Sequence, residues 1–286
     1  MNIIIHRGTH QIGGSAIEIS TASTRIILDF GNELSLDEKY TPINLDIDGV
    51  TKGILDCDGI VISHYHMDHL GQLTSALPEI PLYMGELSKE VAMIATEHQD
   101  KDLYLRLLDA NTFRGGEAFT IGNIHIRPLV IDHSAVDSYM FVIEAEGKRV
   151  LYTGDFRMHG VRGHVLEKLI RTYIGNVDVL ITEGTSLSRN AHDGISEREV
   201  LDDISSYIQD GKYVFVMCSS TNIDRIMGIW HNMPTDKVLI CDAYQKRILD
   251  TVIDNVYYNS SLYRRPDSPL AVSYTHLRAH ETRSNL

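Results

Sequence analysis

The segment Ser63–Gly71, which reads SHYHMDHLG, most constrains this chain because it places four potential metal ligands within six residues. It follows Gly59–Ile62, an apolar run typical of a buried strand. Imidazole and carboxylate groups are costly to bury without partners, so a packing role is excluded. In an extended chain His64 and His66 face the same side, which lets them grip one metal while Asp68 and His69 reach a neighbouring position. The spacing therefore predicts two metal ions.

Two further candidate ligands also follow predicted strands. His133 lies just beyond the run Ile124–Ile131, and Asp155 lies just beyond Arg149–Thr153. Alone, each would be an ordinary start of a loop, but with the first cluster they supply a third nitrogen ligand and a carboxylate able to bridge two metals. We expect His64, His66 and His133 to bind one ion. We expect Asp68, His69 and Asp155 to bind the second ion.

In chain order these motifs resemble the first four motifs of the metallo-β-lactamase superfamily: an aspartate after a strand (Asp29), His-x-His-x-Asp-His, a later histidine and a later Gly-Asp. The resemblance covers about Asn2 to Thr185. It implies an αββα sandwich, and it implies that Asp29 orients the ligand loop without binding metal itself. A turn aspartate before Gly31 is the alternative interpretation of Asp29.

The resemblance narrows to the RNA-processing branch that includes ribonuclease J and the cleavage-factor nucleases, which insert a so-called β-CASP domain after the fourth motif. Leu180–Thr185 looks like the acidic motif of that branch, with Glu183 supporting the site. Val214–Arg225 looks like the strand-to-helix turn of the inserted domain, where Ser219 and Ser220 would bind phosphate at a helix N-terminus. Simple helix capping is an equal alternative for this turn.

Three more residues flank the ligands and are candidates for contacts to phosphate oxygens: Ser134, Ser138 and Arg157. The predicted reaction is attack on an RNA phosphodiester by a hydroxide that two metals activate. Its catalytic residues are Asp68, His133 and Asp155. Zinc is the expected metal, and manganese fits the same donors.

Apolar patterning predicts an α/β protein in two parts. Strand-like runs fill the first part, with helical periodicity over one stretch, Leu87–Leu108. Beyond about Ser186, predicted helices at Glu197–Gln209, Asn222–Met233 and Tyr244–Val256 alternate with predicted strands at Tyr213–Cys218 and Val238–Cys241. We therefore expect a metallo-β-lactamase domain over residues 1–186 and a partial β-CASP-like parallel α/β domain over residues 187–270.

The last segment, residues 271–286, lacks periodicity and resembles a peptide that recurs at the ends of unrelated conceptual translations, so we expect it to be non-native. Members of the RNA-processing branch add a metal-binding histidine after the inserted domain and phosphate-binding histidines within it. Neither is found before residue 271. The chain is therefore expected to be an N-terminal fragment, and an inactive RNA-binding fragment is one alternative function.

Composition narrows the class of protein. The formal net charge of −13 argues against a globally basic nucleic-acid binder and favours another alternative, a small-molecule ester or thioester hydrolase with the same metals. Cys57, Cys218 and Cys241 lack paired short spacings, so they predict no disulfide framework and fit a reducing cytoplasm. No apolar stretch reaches the roughly 18 residues of a membrane span. RNA is the expected partner, no membrane is expected, and a homo-oligomer remains open.

Overall fold

The computed structural model describes residues 1–34, 43–185, 194–255 and 263–273. The chain divides into two compact units, Met1–Gly194 and Ile195–Leu286. The predicted boundary at Ser186 and residues 274–286 of the predicted tail lie outside the described residues. Within the described ranges, no helix has the length and apolar character needed to cross a membrane.

The first unit contains a six-stranded sheet with its strands in chain order, antiparallel from β1 to β3 and parallel from β3 to β6. Its strands are β1 (Asn2–Arg7), β2 (Ala16–Ser20), β3 (Arg25–Leu28), β4 (Gly59–Val61), β5 (Leu82–Gly85) and β6 (Asn111–Phe113). A second, five-stranded sheet has the order β11-β10-β9-β8-β7. Its strands are β7 (Phe119–Ile121), β8 (Ile124–Ile131), β9 (Ser138–Ala145), β10 (Lys148–Tyr152) and β11 (Val179–Ile181).

The two sheets pack face to face, since alternate side chains of both meet in one core. That core includes Ile19, Ile26, Leu28 and Val61 from the first sheet and Ile126, Phe141, Ile143 and Val150 from the second. Helices cover the outer faces: α2 (Glu86–Thr96) lies against β5 and β6, while Leu166 and Ile174 pack on the second sheet. Other α-helices among the described residues of this unit are α1 (Met67–Leu70), α3 (Lys101–Leu108) and α4 (Leu166–Leu169). This arrangement confirms the expected mixed α/β sandwich.

The stretch Leu87–Leu108, where apolar periodicity predicts helix, forms two helices, α2 and α3, with a break between Thr96 and Lys101. The break has a local cause at Asp100, whose side chain accepts a hydrogen bond from the Leu103 N–H at 3.0 Å and caps the start of α3. A short acidic side chain that satisfies a free amide favours a new helix start over continuation of the old helix.

The second unit contains α5 (Glu197–Asp210), α6 (Ile223–His231) and α7 (Ala243–Asp254), together with a parallel pair of strands, β12 (Leu239–Cys241) and β13 (Leu270–Val272). Two residues of the predicted tail, Ala271 and Val272, therefore belong to a strand.

The strand predicted at Tyr213–Cys218 is wrong: these residues form no strand, and Phe215 is 90% exposed. An apolar run becomes a strand only where a neighbour pairs with its backbone, and the described residues supply none here.

The topology places the predicted ligands at one edge of the sandwich. β3 and β4 are parallel neighbours that end just before Asp29 and His64. β8 and β10 are both antiparallel to β9, so they also end at the same edge, just before His133 and Asp155. The Tyr139 N–H donates to the Ser63 carbonyl at 3.0 Å, which joins the two sheets at this edge.

Candidate metal centre

The four histidines of the predicted site stand close together at the strand ends. The His64 ring centroid lies 4.0 Å from that of His69, 4.6 Å from that of His133 and 4.8 Å from that of His66. Two groups of three residues could each hold a metal ion, because the donor atoms within each group lie within 4.8 Å of one another. These groups are His64, His66 and His133, and His64, His69 and Asp155. The first group has the membership that the sequence predicts, whereas the second contains His64 in the place predicted for Asp68. The Oδ2 atom of Asp68 lies 3.7 Å from Nε2 of His69.

The loop that carries these ligands is held by backbone hydrogen bonds from both neighbouring loops. The carbonyl of Asp68 accepts from the Gly14 N–H at 3.0 Å, and the carbonyl of His69 accepts from the Phe30 N–H at 2.7 Å. The approach is closest at Gly31, where a Cβ atom would lie 1.6 Å from the Asp68 carbonyl oxygen. Only glycine fits at that position, because any side chain would collide with the backbone of the ligand loop.

Asp29 is fully buried beneath the cluster, with φ of 55° in the left-handed region. Its carboxylate accepts hydrogen bonds from the Ser63 N–H at 2.7 Å, the Ser63 hydroxyl at 2.8 Å, His69 Nδ1 at 2.7 Å and the Tyr152 hydroxyl. These bonds fix both the turn into the ligand loop and the orientation of the His69 ring. These are the contacts through which Asp29 would orient the ligand loop.

The hydrogen bonds of Ser63 set the tautomer of His64. The Ser63 hydroxyl donates to Asp29, so its oxygen accepts from Nδ1 of His64 at 3.0 Å. A neutral imidazole has a single N–H, which leaves the lone pair on Nε2 of His64 directed at the cluster. Burial, reinforced by the positive charge of His69, holds the pKa of His64 well below its usual range.

The other two histidines of the first group are also neutral at pH 7. Burial, with a contribution from the charge of His69, lowers the pKa of His66 to about 4. Burial, with a contribution from the charge of His66, lowers the pKa of His133 to about 3. Metal binding needs neutral imidazoles, so these side chains meet that requirement at physiological pH.

His69 lies between two carboxylates that favour its protonated form, and a metal bound at Nε2 would displace that proton. Burial alone would lower the pKa of His69, but Asp29 and Asp155 outweigh it and hold the pKa well above its usual range. Nε2 of His69 lies 3.3 Å from Oδ1 of Asp155. Burial would raise the pKa of Asp155, but the hydrogen bond and the charge of His69 outweigh burial and lower this pKa. Burial raises the pKa of Asp68.

The predicted supporting residues have different surroundings. Glu183 accepts a hydrogen bond from the Phe156 N–H at 2.8 Å, next to Asp155, and so braces that loop. Ser134 lies at the rim, with its hydroxyl 3.5 Å from Nε2 of His133. Ser138 is buried and donates to the Ala135 carbonyl at 2.8 Å, and Arg157 donates to Asp132 at 2.6 Å. Ser138 and Arg157 therefore have partners within the chain.

Ser219 and Ser220 lie in the second unit, before α6. The Ser219 hydroxyl is 2.9 Å from that of Thr221, and its carbonyl accepts from the Asn222 N–H at 3.1 Å. Ser220 makes a side-chain hydrogen bond with Tyr244. The cap position of α6 is Asn222, whose side chain makes no capping hydrogen bond, so the alternative of simple helix capping by a side chain is not the geometry of this turn.

Sequence reasoning missed two buried carboxylates beside the cluster. Asp132 accepts from Arg157 and from the Arg162 N–H. Asp137 is fully buried, accepts from the Ser88 N–H at 2.7 Å at the start of α2, and accepts from the Tyr139 hydroxyl. The available signal was two further acids near His133, Asp132 directly before it and Asp137 four residues after it.

Comparison with known proteins agrees with this geometry. Residues 25–206 match the family described as the beta-lactamase superfamily domain. The RNase J-like protein of Methanocaldococcus jannaschii is 27% identical over 223 residues, covering 74% of this chain and 49% of that protein. Ribonuclease J 2 of Streptococcus pyogenes is 26% identical over 78% of this chain and 41% of its own length. Endoribonuclease YSH1 of Gibberella zeae is 24% identical over 90% of this chain and 32% of its own length.

The chain thus spans less than half the length of these curated relatives. A solved structure of a protein of unknown function from Enterococcus faecalis V583 has a TM-score of 0.75 and 17% identity, covering 94% of this chain and 76% of that one. That likeness supports the fold alone. The chain belongs to the metallo-β-lactamase superfamily and, within it, to the branch of the RNase J-like proteins.

Proposed function

We propose that this chain carries the hydrolytic centre of a metal-dependent ribonuclease. The observation that carries the proposal is the convergence of imidazole and carboxylate donors at one edge of the sandwich, in two groups that share His64. Imidazole and carboxylate are the ligand types that zinc and other divalent metals take in hydrolases.

The nitrogen atoms of the first group lie close enough to one another to favour a bound cation. Nε2 of His64 and Nε2 of His133 each lie 3.2 Å from Nδ1 of His66. The lone pair on Nε2 of His64 is directed at Nδ1 of His66, and the neutral ring of His66 has a single N–H. Because Nδ1 of His66 faces both other nitrogens, no choice of tautomers for His66 and His133 lets all three nitrogens satisfy one another. A cation placed between them would accept a lone pair from each ring.

The proposed ligands of the first ion are His64, His66 and His133, and those of the second are Asp68, His69 and Asp155. Asp155 stands between the groups, with Oδ1 3.3 Å from Nε2 of His69 and Oδ2 3.9 Å from Nε2 of His133. When bound, two divalent ions supply Lewis-acid chemistry that stabilises the charge of a phosphodiester undergoing hydrolysis. Zinc is the proposed metal, with manganese as the alternative.

The chain's own residues hold this arrangement in place. Asp29 fixes the ring of His69, and Glu183 braces the loop of Asp155. Ser134, at the rim beside His133, is the proposed hydroxyl contact for a phosphate oxygen. In the second unit Ser219 and Ser220 remain proposed phosphate contacts.

RNA is the proposed substrate because the relatives that match most of this chain are named as ribonucleases. An ester or thioester hydrolase on the same metals is the alternative that the acidic net charge favours. The three cysteines are free, which agrees with the proposed cytoplasmic location.

Metal stoichiometry, measured by elemental analysis of the purified chain, tests the centre first. We expect about two ions per chain for the wild type, and fewer for His66→Ala together with loss of hydrolysis. His125→Ala is the matched control, since His125 is exposed and pairs with Thr120. Cleavage of a single-stranded RNA but not of a thioester supports the ribonuclease. Near-native turnover by His66→Ala would overturn the proposed centre.

A further inference from the structure

Three large apolar side chains are exposed beside the loop that carries Asp68. Ile12 is 56% exposed, Leu34 is 55% exposed and Met67 is 42% exposed. A single exposed aliphatic side chain is ordinary on a protein surface. Several of them beside one cluster of polar site residues are typical of a ligand-binding surface.

The three residues lie on chain segments that are bonded to one another around Asp68. The Leu34 N–H donates to the Ile12 carbonyl at 3.0 Å, and the Asn32 N–H donates to the Met67 carbonyl at 2.9 Å. Asp68 follows Met67 directly, and its carbonyl accepts from the Gly14 N–H at 3.0 Å. The three exposed side chains are therefore carried by the same backbone network that fixes a proposed metal ligand.

Gly13 shows how closely this surface borders the site. A Cβ atom at Gly13 would lie 2.7 Å from Cβ of Asp68 and 2.9 Å from Cγ of Leu34. Its φ of +74° also disfavours any side chain. The side chains of Leu34 and Asp68 thus both lie against Gly13, and a larger residue at that position would push them apart.

We propose that Ile12, Leu34 and Met67 form an apolar platform that packs against a nucleobase flanking the scissile phosphate. This proposal rests on the proposed ribonuclease function and names which part of the substrate the surface binds. Bases offer a flat π-face to aliphatic and thioether groups, and such contact tolerates every base because it reads no hydrogen-bonding edge.

The charge of the same rim favours a base over the phosphate backbone. Glu33 is next to Leu34 and accepts a hydrogen bond from the Gln11 side-chain amide at 3.1 Å. A carboxylate repels phosphate oxygens, which are normally bound by cations, amides and hydroxyls. The platform therefore positions the substrate through its base, while the phosphate goes to the metal centre.

The test compares the double variant Ile12→Ser/Leu34→Ser with the control Ile54→Ser/Leu55→Ser. The control removes the same pair of residue types from another exposed stretch, where Ile54 is 92% exposed. Met67 is kept because it lies between two proposed ligands. Each full-length protein is titrated, in the presence of a chelator, with a fluorescein-labelled single-stranded RNA and with the same RNA lacking one base beside the cleavage position.

We expect the platform variant to bind the intact RNA roughly tenfold more weakly, the loss typical of one base contact. Removal of the base should weaken wild-type and control binding by a similar factor and leave the platform variant almost unchanged. With metal present, the same variant should show a raised KM for RNA and a nearly unchanged kcat.

Equal binding by the platform variant, or an equal effect of base removal in variant and wild type, would overturn the platform. In that case the wild type still cleaves RNA and the ribonuclease proposal stands. A metal-loaded wild type that binds RNA with the expected base dependence but cleaves no phosphodiester would overturn the ribonuclease proposal instead.

Discussion

Arg157 donates from Nε to Oδ1 of the buried Asp132 at 2.6 Å, and its backbone N–H donates to the Asp132 carbonyl at 2.9 Å. Asp132 directly precedes His133, and Arg157 comes two residues after Asp155. The pair therefore joins the two loops that carry these proposed ligands, one after β8 and one after β10.

Replacement of Asp132 by Asn should weaken metal binding. The amide keeps the shape of the side chain but loses the charge that holds Arg157, so the loops of His133 and Asp155 gain freedom. Changes of this kind in groups that support metal ligands typically lower affinity by about 10- to 100-fold. Competition with a chromophoric zinc chelator measures the change.

Arg171→Lys provides the control for that experiment, because Arg171 pairs with Glu167 on an exposed helical surface. Such exposed pairs contribute little, so zinc affinity should not change. Unaltered zinc affinity in Asp132→Asn would show that the Arg157 pair is not needed to position the ligands.

Replacement of Asp29 by Asn should remove the hydrogen bonds that orient the His69 ring and keep the backbone conformation of the turn. Asn tolerates the left-handed conformation that Asp29 adopts, so the turn is kept. Its NH2 group, however, cannot accept from His69, Ser63 and Tyr152 as the carboxylate does. We expect zinc affinity to fall by about 10- to 100-fold while the chain stays folded.

Asp29→Ala should add strain at the same turn and lower the thermal midpoint further than Asp29→Asn. Zinc titration and circular dichroism of both variants distinguish the two effects. If Asp29→Asn binds zinc like the wild type, the orienting role assigned to Asp29 is incorrect.

Much of the candidate site could be predicted from sequence because its residues follow strands. Apolar runs predicted β4, β8 and β10, and residues that follow the ends of such strands meet at one edge of a sheet. The sequence therefore predicts that His64, His133 and Asp155 lie close together. The dense spacing of the first cluster supplied the remaining donors.

Pairing between distant side chains could not be predicted from the same patterns. Arg157 has the sequence context of a phosphate contact, yet Asp132 neutralises it within the fold. Ser138 is likewise buried at the start of β9. The apolar run around Phe215 has strong strand propensity, but propensity is local and a strand needs a partner. Sequence patterns describe elements, whereas these outcomes depend on which elements become neighbours.

The pH dependence of stability should report on Glu18, a buried residue of β2. Its carboxylate lies 2.8 Å from Nη2 of Arg25 and 2.9 Å from Nε2 of His6. Burial would raise the pKa of Glu18, but these hydrogen bonds and charges outweigh burial and lower the pKa in the folded chain. Stability from Glu18 is thus fully present above the unfolded pKa of ~4.3 and is lost as pH falls through the folded pKa.

Glu18→Gln should therefore lower the free energy of unfolding at pH 7 by ~1–3 kcal/mol, the size of a hydrogen bond to a charged group. The deficit should persist at pH 5 and shrink below the unfolded pKa. Urea titrations followed by circular dichroism at each pH measure it. A deficit that grows on acidification would contradict the assigned direction of the pKa shift.

The stability of the second unit can be tested at Glu197, whose side chain is buried. Its carboxylate accepts hydrogen bonds from Nε and Nη2 of Arg225 at 2.6 and 2.9 Å. Glu197→Gln should destabilise this unit by ~2–4 kcal/mol, since it leaves a guanidinium facing an amide group in a partly buried position. Trp230, the chain's single tryptophan, is buried in α6 of the same unit, so its fluorescence in a urea titration reports this transition. Glu167→Gln, at an exposed pair of the first unit, should leave the Trp230 transition where it is. An unchanged midpoint for Glu197→Gln would mean that the ion pair contributes nothing to the second unit.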